Sequence, residues 1–207
     1  MSLILLCGGR GTRLNADKAF LKFNDSTIIE NVIEKLVDLF DEIILVANYN
    51  LEKYNEIIKK YNNKSKNKKI MIVEDLIKNK GPLGGIYTGL KTAKDENNLV
   101  LGCDMPFVNA DLVKYMLRFD NYDAVVSKHK DKIEPLYSVY NKNITQLIES
   151  QIKNNNLKIR DMIYSLKKVK YIEEKDIKRF DKNLQCFFNI NNKYDLDKAK
   201  IIAENGK

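Results

Sequence analysis

At 207 residues, 44% of them hydrophobic and 31% charged, the chain has an ordinary globular composition and is long enough to bury a sizeable core. Its net charge of +8 comes from lysines spread along the whole length among asparagines and isoleucines, which reads as a lysine-rich surface and argues against a nucleic-acid stripe. Cys7, Cys103 and Cys186 are widely spaced with no C-x-x-C, which argues against a disulfide framework or a zinc site and for a reducing compartment.

No apolar run approaches the ~20 residues that cross a bilayer. Ser2 to Cys7 is too short for the apolar region of a signal peptide. The expectation is therefore a soluble, cytoplasmic protein with no membrane and no nucleic-acid partner.

The predicted elements alternate from the start. Leu3–Cys7 reads as a strand, followed by the loop Gly8-Gly9-Arg10-Gly11-Thr12-Arg13-Leu14 and then Asp17-Lys18. Thr27–Phe40 reads as a helix, with Ile28, Ile29, Val32, Ile33, Leu36, Val37 and Phe40 at helical spacing. Ser26 or Thr27 is its cap, and Glu30 stands where a capping box needs it. Glu42–Val46 predicts a strand buried on both faces. Leu51–Tyr61 is a weaker helix, and Asn62–Lys69 a polar connection. Ile70–Val73 is a third strand, Leu83–Ala93 a helix entered through Gly81-Pro82, Leu99–Gly102 a fourth strand and Ala110–Arg118 a helix. This rhythm predicts an α/β fold, a mostly parallel sheet with helices on both faces. Further on, Ala124–Ser127, Ile133–Tyr140, Val169–Ile172 and Cys186–Ile190 read as strands. Ile144–Lys153, Leu157–Leu166 and Tyr194–Ala203 read as helices. With no repeat and no linker, a single domain over 1–207 is expected.

Ligands of an open parallel sheet bind beyond the carboxyl ends of its strands. Each of the first strands ends in a candidate: the glycine loop, then Asn48, then Glu74-Asp75, then Cys103-Asp104-Met105-Pro106. Glycines bring backbone N–H groups close to an anion, and Arg10, Arg13 and Lys18 supply the charge a triphosphate needs. There is no G-x-x-x-x-G-K-[ST], and the G-x-G at Gly9 and Gly11 lacks the third glycine of the dinucleotide fingerprint, so the phosphate loop is of another kind.

Asp104 fits magnesium, a hard cation commonly held by one or two carboxylates plus phosphates; Asn109 and Asp111 are better placed to cap the next helix. The cluster Gly81-Pro82-Leu83-Gly84-Gly85 suits either a base or ribose laid on bare backbone or a tight turn with close helix–sheet packing. His129, the only histidine, lies between Lys128 and Lys130 with no evident partner and reads as a surface residue. That leaves no histidine for a Ser-His-Asp or Cys-His arrangement or for a histidine-ligated metal. Basic residues, a metal and a nucleotide point instead to phosphoryl or nucleotidyl transfer.

The pattern Leu6-x-Gly8-Gly9-x-x-x-Arg13-Leu14 followed by Asp17-Lys18 resembles the signature of molybdenum cofactor guanylyltransferases. The resemblance continues through Val46-Ala47-Asn48, Glu74-Asp75, Gly81-Pro82-Leu83-Gly84-Gly85-Ile86, Cys103-Asp104-Met105-Pro106-Phe107, Glu134-Pro135-Leu136 and Phe188-Asn189-Ile190-Asn191. Related sugar-nucleotide and isoprenoid nucleotidyltransferases usually carry proline before the lysine, where this chain has Asp17. The family usually has glycine after the position of Leu14; Asn15 stands there, a residue that tolerates positive φ.

The resemblance implies a Rossmann-like nucleotidyltransferase fold, with residues 1–120 as a nucleotide-binding half and 121–207 as an acceptor-binding half. It implies transfer of GMP from GTP to the terminal phosphate of molybdenum–molybdopterin, releasing pyrophosphate. By position, Leu6, Cys7, Gly8, Gly9, Lys18, Asn48, Asp75, Gly84, Gly85 and Asp104 would bind GTP. Asp104 would hold Mg2+, and Arg13 and Lys18 would join it in catalysis. Arg160, Asn189 and Asn191 would face the acceptor. Transient contact with a molybdenum-insertion protein and with acceptor molybdoenzymes is also implied. Two alternatives remain open at this stage: a cytidylyltransferase or other nucleotidyltransferase on the same fold, and a non-catalytic nucleotide-binding or cofactor-chaperone protein.

Overall fold

Every side chain of strand β1 (Ser2–Leu6) is buried, and neighbours along it face opposite cores. Leu3 and Leu5 join one apolar cluster, Ile4 and Leu6 the other. A strand's side chains alternate across the sheet, so a wholly apolar strand needs cover on both faces. The structure, a computed structural model, describes residues 1–7, 17–64 and 68–205.

The remaining strands are β2 (Lys22–Phe23), β3 (Ser26–Thr27), β4 (Glu42–Val46), β5 (Lys69–Val73), β6 (Asn97–Gly102), β7 (Ala124–His129), β8 (Lys132–Asn141) and β9 (Val169–Ile172). The helices are α1 (Ile28–Leu36), α2 (Leu51–Lys64), α3 (Gly81–Thr92), α4 (Ala110–Met116), α5 (Thr145–Lys153), α6 (Ile159–Tyr164), α7 (Glu174–Ile177) and α8 (Lys193–Asn205). The main sheet has seven strands in the order β5-β4-β1-β6-β8-β7-β9. β5, β4, β1 and β6 run parallel. β8 is antiparallel to both β6 and β7, and β9 pairs parallel with β7. Parallel neighbours need long crossovers, and helices supply them. α1, α2 and α4 cover one face with Ile29, Ile33, Tyr54, Ile57 and Leu112. α3, α5 and α6 cover the other with Leu83, Ile86, Leu90, Ile148 and Met162. A smaller cluster of Phe23, Ile28, Ile190 and Ala199 ties the β2–β3 hairpin to α8. No helix of the described residues is long and apolar enough to cross a membrane.

The expected rhythm is present, with element ends shifted by a few residues. Thr27 caps α1 through the capping box with Glu30. Burial raises the pKa of the Glu30 carboxyl, but hydrogen bonds from Lys60 and Thr27 outweigh this and hold it below the usual range. One expected element is corrected. Cys186–Ile190 is not a strand: Gln185–Phe187 forms a 3-10 turn entered through Leu184 at φ 55°. Cys186 and Phe187 sink into the first core, while Ile190 enters the small cluster. An apolar run that divides its side chains between two cores has the composition of a strand without its periodicity. The Ile190 N–H donates to the Asp104 carbonyl at 3.0 Å, which fixes this segment beside the end of β6.

α3 lies unusually close to β1 at Gly89, where a Cβ would stand 2.4 Å from Ile4 Cγ2. Gly89→Ala is therefore expected to destabilise the fold by about 1–3 kcal/mol. The check is a urea unfolding curve, in which the midpoint falls while the slope stays constant.

Candidate active site

Strand order reverses direction beside β1: β4 and β5 lie to one side of it, β6 and β8 to the other. At such a switch point the loops part and leave a crevice. A cavity of about 440 Å³ opens there; its walls include Leu6, Cys7, Asp17, Lys18, Asn48, Asp75 and Asp104, and Gly85, Gly102 and Leu136 also border it. The ladder runs one residue past each strand: Cys7 N–H donates to Val46 O, Ala47 N–H to Val73 O, and Cys103 N–H to Leu6 O. The polar residues that follow therefore emerge at one level.

Lys18, Asp104 and Asn191 come together from distant segments. Lys18 Nζ donates to Asn191 Oδ1 at 2.7 Å and stands 3.5 Å from Asp104 Oδ2. Asp104 is held from both sides. Behind it, a Cβ at Gly102 would come within 2.8 Å of its Oδ1, so glycine makes room for the carboxylate. Ahead of it, Asn31 Nδ2 and Lys35 Nζ on α1 donate to Pro106 O at 2.7 and 2.8 Å. Burial lowers the Lys35 pKa, and the carbonyl it reaches partly replaces lost water. No pattern in the sequence singles out Gly102, Asn31 or Lys35.

On the other wall, Asn48 and Asp75 bond reciprocally. Asn48 Nδ2 donates to Asp75 Oδ2 at 2.7 Å, and the Asp75 N–H donates to Asn48 Oδ1 at 3.0 Å. Asp75 Oδ1 is buried and accepts no hydrogen bond in the structure. A buried carboxylate oxygen left without donors costs about 1–3 kcal/mol, so this one can accept from a donor that enters the cavity.

Gly85 borders both Leu6 and Asp75, since a Cβ there would lie 3.1 Å from Leu6 Cδ2 and 3.8 Å from Asp75 Oδ1. Gly84 does not line the cavity; a Cβ there would press on Lys80 Cβ at 2.9 Å and Ile77 O at 3.2 Å. The glycine pair thus divides between the expected possibilities, Gly85 on the cavity and Gly84 in helix–loop packing.

Asn189 turns its Nδ2 to Phe187 O at 3.3 Å and, like Arg160, which is exposed on α6, it does not line the cavity. Glu74 pairs with Lys78 at the surface. His129 departs from expectation: its Nε2 lies 2.8 Å from Glu134 Oε1, and its ring stacks on Phe187 at 4.5 Å. Gly8, Gly9, Arg10, Arg13 and Asn15 lie outside the described residues.

Cys7 and Cys103 are both buried and free. The Cys103 pKa is pushed well above the usual thiol value, by hydrogen bonding with Cys7 first and burial second. A thiol held in that form is a poor nucleophile. Among the described residues, no group of three or more His, Cys, Asp or Glu side chains is arranged to hold a metal ion. The oxygen donors present, Asp104 with Asn191 close by, match a hard cation that takes most of its shell from phosphates and water, as magnesium does.

Residues 3–169 match the family described as MobA-like NTP transferase domain. A probable molybdenum cofactor guanylyltransferase of Natranaerobius thermophilus is 35% identical, over 97% of this chain and 95% of its own length. The molybdenum cofactor guanylyltransferase of Syntrophotalea carbinolica is 32% identical, over 95% and 89%. Among solved structures, molybdopterin-guanine dinucleotide biosynthesis protein A from Archaeoglobus fulgidus superposes with a TM-score of 0.79 at 28% identity, over 99% of this chain and 100% of that one. The crevice at the switch point and this likeness along nearly the whole length agree: the chain is a nucleotidyltransferase and belongs to the MobA-like family of molybdenum cofactor guanylyltransferases.

Proposed function

We propose that this protein transfers GMP from GTP to the terminal phosphate of molybdenum–molybdopterin, with release of pyrophosphate. The observation that carries the reading is the meeting of Lys18, Asp104 and Asn191 at the crevice, opposite the unpartnered oxygen of Asp75. An ammonium suits phosphate oxygens, and its several donors leave some free beyond Asn191. On the opposite wall, guanine presents two adjacent donors, its ring N–H and its amino group. Adenine and cytosine present a single amino group, and uracil a single ring N–H. Asp75 Oδ1 favours the base with the paired donors. The reading divides the chain as the sequence suggests, 1–120 for the nucleotide and 121–207 for the acceptor, with Asn191 the acceptor-side residue nearest the chemistry. The product would pass to an insertion protein and to acceptor molybdoenzymes.

In this mechanism a phosphate oxygen of the acceptor bonds to the α-phosphorus of GTP as the bond to the β-phosphate bridging oxygen breaks in line. A phosphate nucleophile is already ionised at neutral pH, so no general base is required, and the single histidine stands aside. Lys18 neutralises charge building on the transferring and leaving phosphates. Asp104, with phosphate oxygens and water completing the shell, would hold Mg2+, which when bound supplies further charge neutralisation and alignment. Gly102 keeps the Asp104 carboxylate in place, and the cavity walls position the nucleotide.

Titration with GTP, CTP, ATP and UTP, each with and without magnesium, tests the reading. Magnesium-enhanced binding of GTP alone is expected. A preference for CTP would make the enzyme a cytidylyltransferase, and no binding would favour a non-catalytic role. Asp104→Ala should lower turnover about 100-fold or more while changing GTP affinity far less; near-normal turnover would remove Asp104 from the chemistry. Asp75→Asn keeps the shape and should weaken GTP about 10- to 100-fold, the worth of a hydrogen bond to a charged acceptor, with little effect on the residual binding of other nucleotides. An unchanged order of nucleotide affinities would overturn the base assignment.

A further inference from the structure

We propose that Tyr54, on α2 and outside the cavity, is a positioning residue: its hydroxyl ties together the two stems that flank residues 8–16 and sets Lys18 in place. The proposal deepens the reading above and rests on it for the role of Lys18. Tyr54 is fully buried. Its hydroxyl donates to Asp17 Oδ2 at 3.0 Å and lies 3.4 Å from the carbonyl oxygen of Cys7. Cys7 precedes the segment and Asp17 follows it, so acceptors at both stems share one hydroxyl. Asn50 Nδ2 donates to the same Asp17 oxygen at 3.1 Å.

The other oxygen of Asp17 is used differently. Oδ1 accepts from the Ala19 N–H at 3.2 Å and caps the 3-10 turn Lys18–Phe20. The carboxylate is thereby pinned to α2 on one side and to the lysine-bearing turn on the other. The far end of that turn returns to the same tyrosine, since the rings of Phe20 and Tyr54 lie 4.5 Å apart between centroids. From this anchored turn, Lys18 Nζ reaches Asn191 and Asp104.

Core packing alone would be served by phenylalanine. Among the described residues, the hydroxyl's hydrogen-bond partners are Asp17 and Cys7. Burial, followed by the nearby Cys7, Cys103 and Asp17, raises the Tyr54 pKa far beyond the usual phenol value, so the group remains a donor at any working pH. A lysine on a capped turn has fewer wrong positions to leave before it meets phosphate.

The test is Tyr54→Phe, which keeps the ring, with Asp17→Asn as the approach from the other partner. Amide exchange at Ala19 and Phe20 is expected to rise at least fivefold in either variant, while exchange in β4 stays unchanged. GTP affinity should fall about fivefold or more and kcat about tenfold. The affinity loss should largely vanish in a Lys18→Ala background, a coupling that a merely structural tyrosine would not produce. Exchange unchanged at the turn, or an equal affinity loss with and without Lys18, overturns the proposal. If wild-type protein binds no nucleotide yet the exchange rises in both variants, the nucleotide reading fails while the tie between Tyr54 and the lysine-bearing turn stands.

Discussion

Parallel pairing of β1 between β4 and β6 is the constraint on which the rest of the structure depends. In register, Leu6 stands beside Val46 and Gly102, and Val46 beside Val73, so these strands end at one level. The residues that follow are Cys7, Asn48, Asp75 and Asp104. Strands of alternating direction would send neighbouring groups to opposite edges of the sheet. A shared direction instead delivers Cys7, an amide and two carboxylates to one crevice. Because β1, β4 and β6 are buried on both faces, a slip of register by one residue would push each side chain into the opposite core and undo the packing of both, which keeps the levels fixed.

A crevice bordered by Asp17, Asp75 and Asp104 and proposed to take a polyanion is at first a contradiction, since like charges repel strongly where water is scarce. Each carboxylate is committed in a different way. Asp17 is turned away, to the donors of Tyr54, Asn50 and the Ala19 N–H. Asp75 gives one oxygen and its own N–H to Asn48 and keeps the other oxygen on the wall proposed for the base. Asp104 faces the Lys18 ammonium, the pairing that a magnesium triphosphate would exchange for its own charges. The negative groups thus orient donors and a cation, and the Lys18 ammonium is the positive group left for the proposed phosphates.

Much of this was legible in the sequence because the information is local. Apolar runs of strand length, Glu30 three residues after Thr27, and a polar residue after each strand are all one-dimensional patterns. What escaped is relational. Gly102 matters only because Asp104 folds back over it, and Tyr54 only because Cys7 and Asp17 converge on its hydroxyl. His129 finds Glu134 across the β7–β8 hairpin because Lys130 and Asp131 turn the chain at positive φ, a conformation usually signalled by glycine or asparagine and here by neither. The run Cys186–Ile190 misled because hydrophobicity reports burial, while the direction of burial alternates between cores and not across a sheet.

The two sides of the crevice are built by different means, and this bears on how the fold serves its relatives. The side proposed for the nucleotide is fixed by ladder hydrogen bonds that continue past the strand ends, so its groups are held by backbone geometry. The side proposed for the acceptor is contributed by Leu136 on the antiparallel β8 and by Asn191 on a segment that meets β6 through one backbone bond, from Ile190 to Asp104. A segment held by side-chain packing rather than by a ladder tolerates change in length and sequence better. An enzyme built this way can keep its phosphate chemistry constant while the acceptor side varies. Under the proposed division, specificity for the acceptor would then reside in the part of the chain that periodicity reads least well.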